Sequence, residues 1–234
     1  AEGLRARGHR EVLLARATTP EVRRIAWQAW AEPPFMVANL EAIMQLRPDD
    51  EVEESDLATW QSAVARIFEG VSAGEVVRLD SILNDDPVQF EARRTALARA
   101  AIAPEISREQ RLAAARRLAR RLIEIGRPIE AATELKLLGA TADSPLGDDL
   151  FEALLLAEAW EDAVAVRPDP EAWVTFLEAR IVAEPAVARL LLAEIDRRFE
   201  DRLKEPQMVT VEAARAVLVD AAVGSERDPI VGDN

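Results

Sequence analysis

Helix punctuation is what most constrains the fold of this chain. Thr19-Pro20-Glu21, Asp86-Pro87 and Asp169-Pro170-Glu171 each place a proline directly after a side chain that can accept from a free backbone N–H. Proline suits the first helical turn, because its φ is already helical and its missing N–H would have had no partner there. Each of these sites therefore starts a helix. Ser107-Arg-Glu-Gln110 has the spacing of a capping box and marks a fourth start. Between the marks, apolar residues return every three or four positions, as in Leu57, Trp60, Val64, Ile67 and Phe68. The pattern predicts helices over 9–17, 20–31, 35–46, 54–69, 73–84, 87–102, 107–125, 128–138, 146–158, 160–166, 170–183, 186–203 and 208–223.

Composition agrees with that pattern. Ala, Leu, Arg and Glu dominate, Tyr is absent, and only 5% of residues are aromatic, a palette that favours helix over strand. Within 107–125, Leu112, Ala115, Leu118, Ala119, Leu122 and Ile125 form one stripe, with Arg116, Arg117, Arg120 and Arg121 opposite. Short links leave no room for crossovers, so neighbouring helices pair as antiparallel hairpins. The expected fold is all-α, with hairpins stacked as an α-solenoid array or gathered in an irregular helical bundle. Residues 1–223 read as a single elongated domain, with 47–54 and 103–106 as the best internal breaks, and 224–234 read as a polar tail.

Two segments carry a family resemblance. Gly126-Arg-Pro-Ile-Glu-Ala-Ala132 has a small residue at a turn followed by a Glu-Ala helix start, and Ala157-Glu-Ala-Trp-Glu-Asp-Ala163 repeats it 31 positions later. This resembles the tetratricopeptide repeat, whose period is about 34 residues. The resemblance covers 107–166 and implies that Ile129 and Trp160 pack between helices while Ala132 and Ala163 allow close approach. The chain departs from the family at Asp143-Ser-Pro-Leu-Gly-Asp-Asp149, which interrupts the second helix, and at the aromatic positions of the first helix.

Charge and missing residue types exclude several functions. A net charge of −14 repels nucleic acid and anionic membranes and favours basic partners. No run reaches the roughly 20 apolar residues of a membrane span. Without cysteine there is no disulfide, thiol nucleophile or thiolate zinc site. His9 is the single histidine, which rules out a triad built on any other histidine and any multi-histidine metal site; beside Arg7 and Arg10 it reads as a solvated terminal side chain. Of the 29 basic residues only Lys136 and Lys204 are lysine, a bias that fits a GC-rich bacterial genome. The compartment is open: cytoplasmic, or periplasmic or secreted if a leader has been removed.

The remaining candidates each carry a plain structural reading. Asp148-Asp149-Leu-Phe-Glu152 matches the pattern with which all-α isoprenoid synthases hold magnesium, yet acids at a helix start also serve the helix dipole and its free N–H groups. Asp49-Asp-Glu-Val-Glu-Glu54 with Asp56 lacks the spacing and glycine of a calcium loop and reads as a solvated loop. Gly-rich phosphate loops and nucleophile elbows are missing. Arg116, Arg117, Arg120 and Arg121 are candidate partner-contacting residues, or else a solvated or acid-paired face. Trp27 and Trp30 share a helix face and serve either the core or an interface. Pro33-Pro34-Phe35-Met36 is either an apolar edge or a tight turn.

The functional expectation is therefore a non-catalytic protein–protein interaction module, a scaffold or adaptor without cofactor. A helical-repeat groove would receive a peptide, helix or domain of a basic partner. The alternatives are an all-α magnesium enzyme using Asp148, Asp149 and Glu152, or a structural segment of a larger complex.

Overall fold

The computed structural model describes residues 17–33, 37–48, 54–83 and 89–225. Among the described residues the chain forms twelve α-helices, one short 3-10 turn and no strand. The fold is all-α. Contacts divide it into two compact units, 1–121 and 122–234, and the division falls inside a helix; the 103–106 link lies within the first unit.

The first unit holds α1 (Pro20–Trp30), α2 (Val37–Gln45), α3 (Glu54–Gly70), α4 (Val76–Leu83), α5 (Phe90–Ile102) and most of α6 (Arg108–Glu124). α3 packs on α1 and α5, while α2 touches α1, α3 and α4. The caps behave as their side chains dictate. Thr19 accepts from the Val22 N–H, and Ser107 and Gln110 exchange the two capping-box bonds at 3.1 and 3.0 Å. The Asp86-Pro87 start and most of the 9–17 helix lie outside the described residues.

Helix C-termini are closed by long side chains, because the last carbonyls of a helix have no partner within it. The Trp27 indole donates to Leu46 O at 3.2 Å and the Trp60 indole to Ile43 O at 3.1 Å, both near the end of α2. Arg99 donates to the carbonyls of Phe68, Glu69 and Val71 and so closes α3. The buried Asn39 amide donates to Trp30 O at 3.0 Å. Trp30 is buried too, but its indole N–H has no partner among the described residues.

At the centre of the first unit lies an ionic cluster. Asp80 on α4 is 0% exposed. It accepts from Arg93 of α5 at 2.8 Å and from Arg121 of α6 at 3.3 Å, and it pairs closely with Arg117 of α6. Asp80 shares the α4 stripe with Val76 and Leu83, so the helix pattern itself carries the carboxylate inward.

The second unit contains α7 (Pro128–Leu137), α8 (Gly147–Leu156), α9 (Trp160–Val166), α10 (Pro170–Arg180), α11 (Pro185–Phe199), a 3-10 turn (Glu200–Arg202) and α12 (Glu205–Ser225). α8 packs on α7 and α9, α10 on α11 and α12, and α11 on α12. The 3-10 turn ends the expected 186–203 helix early, and Gln207 caps the Lys204 N–H, so α12 begins before 208.

Trp173 of α10 is the hub of this unit. Its ring lies 5.6 Å from Phe151 of α8, 6.3 Å from Trp160 of α9 and 5.4 Å from Phe199 of α11. Its indole donates to Arg167 O at 2.8 Å, closing α9. On α11, Arg198 bridges Glu194 and Glu161 of α9, each at 2.7 Å. The hydrogen bond from Arg198 holds Glu161 below the usual glutamate range. Burial pushes Glu194 up, but hydrogen bonds from Arg197 and Arg198 outweigh it and lower that carboxyl as well.

Ala132 and Ala163 are buried, as the repeat resemblance implies, and Trp160 is half-buried against Trp173. Ile129 is not between helices: it is 68% exposed, because α7 turns its Ala131, Ala132 and Leu135 inward and leaves position 129 outside. The left-handed residues that close the two turns are Gly126 and Glu158, at φ 75° and 55°. Each donates to the carbonyl three residues back, and the next residue to the carbonyl five back. The two turns share this bond pattern, but the left-handed residue of the second is Glu158 and not Ala157, the small residue aligned with Gly126, so the repeat is offset by one position at the turn.

Candidate functional site

In the second unit an open groove of about 650 Å³ lies between α8 and α10. Asp148, Phe151 and Glu152 line it from α8, at spacings that share one helix face. From α10 come Ala172, Thr175, Phe176 and Ala179, at offsets of three, four and seven, with Asp169 and Glu171 at the helix start. The small residues leave the room, and the Phe151 and Phe176 rings meet edge to face at 6.4 Å on the floor.

The rim is charged. Asp148 accepts from Arg167 at 2.6 Å, and Arg167 also donates to Ala142 O at 2.6 Å. Arg180 pairs closely with both Glu152 and Glu184, while its guanidinium lies 4.7 Å from the centre of the Phe176 ring. Asp169 accepts from the Glu171 N–H at 2.8 Å, capping α10, and Glu171 is exposed on the rim. Gly147 fixes where α8 begins. A Cβ there would come within 2.7 Å of Ala142 O and 2.8 Å of Thr141 O, so the start of α8 lies directly against the preceding loop.

The residues singled out in the sequence are dispersed by the fold. Asp148 and Glu152 both border the groove, each engaged by an arginine, and Asp149 is half-buried. No group of three acidic or histidine side chains is placed to hold a metal ion among the described residues. The arginine face of α6 is not uniform. Arg116 and Arg120 are exposed, Arg117 is half-buried on Asp80, and Arg121 is buried on the same carboxylate. Trp27 and Trp30 are buried in the first unit rather than presented to solvent.

Asp56 is also not a solvated acid. It is 2% exposed and lies 2.7 Å from the Arg24 Nε. The rest of the acidic run (49–53), His9, Pro34-Phe35-Met36 and the tail from 226 lie outside the described residues.

Sequence reasoning missed Phe176 and Arg180. A signal was present: Phe176 stands between Ala172 and Ala179 on one helical face, and an aromatic flanked by small residues marks a depression. No helix among the described residues is long and apolar enough to cross a membrane. Compared with known proteins, the chain matches no family model, no curated protein and no solved structure.

Proposed function

We propose that this chain is a non-catalytic protein–protein interaction module, a scaffold or adaptor that docks a peptide, helix or domain of a partner protein in the α8–α10 groove. The observation that carries this reading is the pairing of two phenyl rings on the floor with carboxylates and arginines on the rim. Protein interfaces combine an apolar centre with a polar border in this way. Of Asp148, Asp149 and Glu152, the residues a magnesium enzyme would need, Asp148 and Glu152 are already paired with Arg167 and Arg180. The matching turns at Gly126 and Glu158, with Ala132 and Ala163 buried, support tetratricopeptide-like hairpins in this part of the chain.

Photo-crosslinking in lysate of the source organism tests the proposal. A benzophenone side chain at Thr175, inside the groove, is compared with one at Thr133, exposed on α7. A discrete protein adduct at position 175, missing at 133 and lost in Phe176→Ala, is expected. Equal labelling at both positions, or labelling that survives Phe176→Ala, overturns it.

A further inference from the structure

We infer that the occupant of the α8–α10 groove is an arginine-bearing apolar segment, and that Arg180 is a built-in competitor holding the place of the partner's guanidinium over Phe176. This rests on the docking reading above and specifies its chemistry. Four carboxylates line the groove, and two arginines pair with two of them. Asp169 and Glu171 have no arginine or lysine partner among the described residues, so the α10 N-terminal end of the groove keeps its negative charge. A cation from outside complements that end.

The other end displays the contact such a cation would make. Arg180 lies over Phe176 while reaching Glu152 and Glu184, so a guanidinium on this ring meets a π face and two carboxylates together. Arginine suits that position better than lysine, because its planar group stacks and forks at once. From Asp169 to Ala179 the groove runs about 15 Å along α10, which accommodates about three helical turns of a ligand. An apolar residue would cover Phe151 and Phe176, with basic residues toward Glu171 and toward Glu152.

The probe is a capped amphipathic peptide of leucine and arginine, three turns long, beside versions carrying lysine or glutamate in place of arginine. Each is titrated into the whole chain, with backbone amide shifts of Thr175, Phe176 and Ala179 as readout. The arginine peptide should shift these amides most tightly, the lysine form more weakly and the glutamate form not at all. Arg180→Gln should tighten the arginine peptide about fivefold, the scale of one cation–π contact. Arg180→Met, which removes the competing charge but keeps the length of the side chain, should act in the same direction, and unchanged melting confirms that each variant is folded. If the arginine and glutamate peptides bind these residues equally, or if neither variant tightens binding, docking stands and this inference fails. If no peptide of any charge moves these amides, the docking reading fails with it.

Discussion

The two units solve one problem in different chemistry. Short helices must be tied together, and the first unit does so around a buried carboxylate shared by arginines from α5 and α6, whereas the second does so around an indole touched by rings from three helices. A buried ion pair adds little net stability over apolar packing, but removing one partner strands the other. An aromatic hub contributes through area and tolerates trimming. Rigour of partner choice holds the first centre, and filled volume holds the second.

Truncating either centre should have the largest effect. Asp80→Ala and Trp173→Ala should each cost about 3–5 kcal/mol in denaturant unfolding. The conservative pair separates them. Asp80→Asn keeps shape but not charge and should retain most of the loss, while Trp173→Phe should recover most of the packing and lose chiefly the bond to Arg167 O. An Asp80→Asn variant as stable as the parent would show that the first centre is not ionic in effect.

Helix-end indoles give the next contrast. Trp60→Phe removes the indole bond to Ile43 O, which keeps the Leu46 N–H, and should cost about 0.5–1.5 kcal/mol, whereas Trp30→Phe removes an N–H that has no partner among the described residues and should cost less. Equal losses would mean that ring volume, not closure of α2, is what Trp60 supplies. A smaller gain is expected at the turn before α9. Glu158 is left-handed where its counterpart is Gly126, so Glu158→Gly should raise stability by about 0.5–1 kcal/mol in thermal or denaturant melts.

The smallest effect concerns acid. Glu161 and Glu194 have lowered folded-state pKa values, so their contribution is complete above the ordinary glutamate range near 4.5 and is lost as pH falls through the lowered values. Unfolding of the parent should therefore ease more steeply on acidification than unfolding of Arg198→Met. Identical pH profiles would show that the Arg198 pairs are energetically silent.

Local signals were the legible ones. The Pro20 and Pro170 starts and the Ser107 capping box stand where the sequence puts them, since each depends on residues within one turn. The boundary between α11 and α12 was less clear: a 3-10 turn joins them just after the buried Phe199. Asp80 was illegible as a centre. Its partners lie 13, 37 and 41 positions away, and no local pattern joins such distances. The same gap left the acid-paired reading of Arg117 and Arg121 undivided from the solvated one. The groove was half visible: Asp148 and Glu152 drew attention as ion ligands, but Phe176 and Arg180 sit on α10 and Arg167 just after α9, beyond the reach of any local pattern.

The carboxylate at position 80 also bears on how this chain can change length. Arrays of identical hairpins grow or shrink by duplication and deletion of single units, since each unit meets only its neighbours. Here α4, α5 and α6 share one charge, so excising any of them leaves ions buried without their counterparts. Loss of a single hairpin is therefore costly across this stretch, and insertions are tolerated only in the links between its helices.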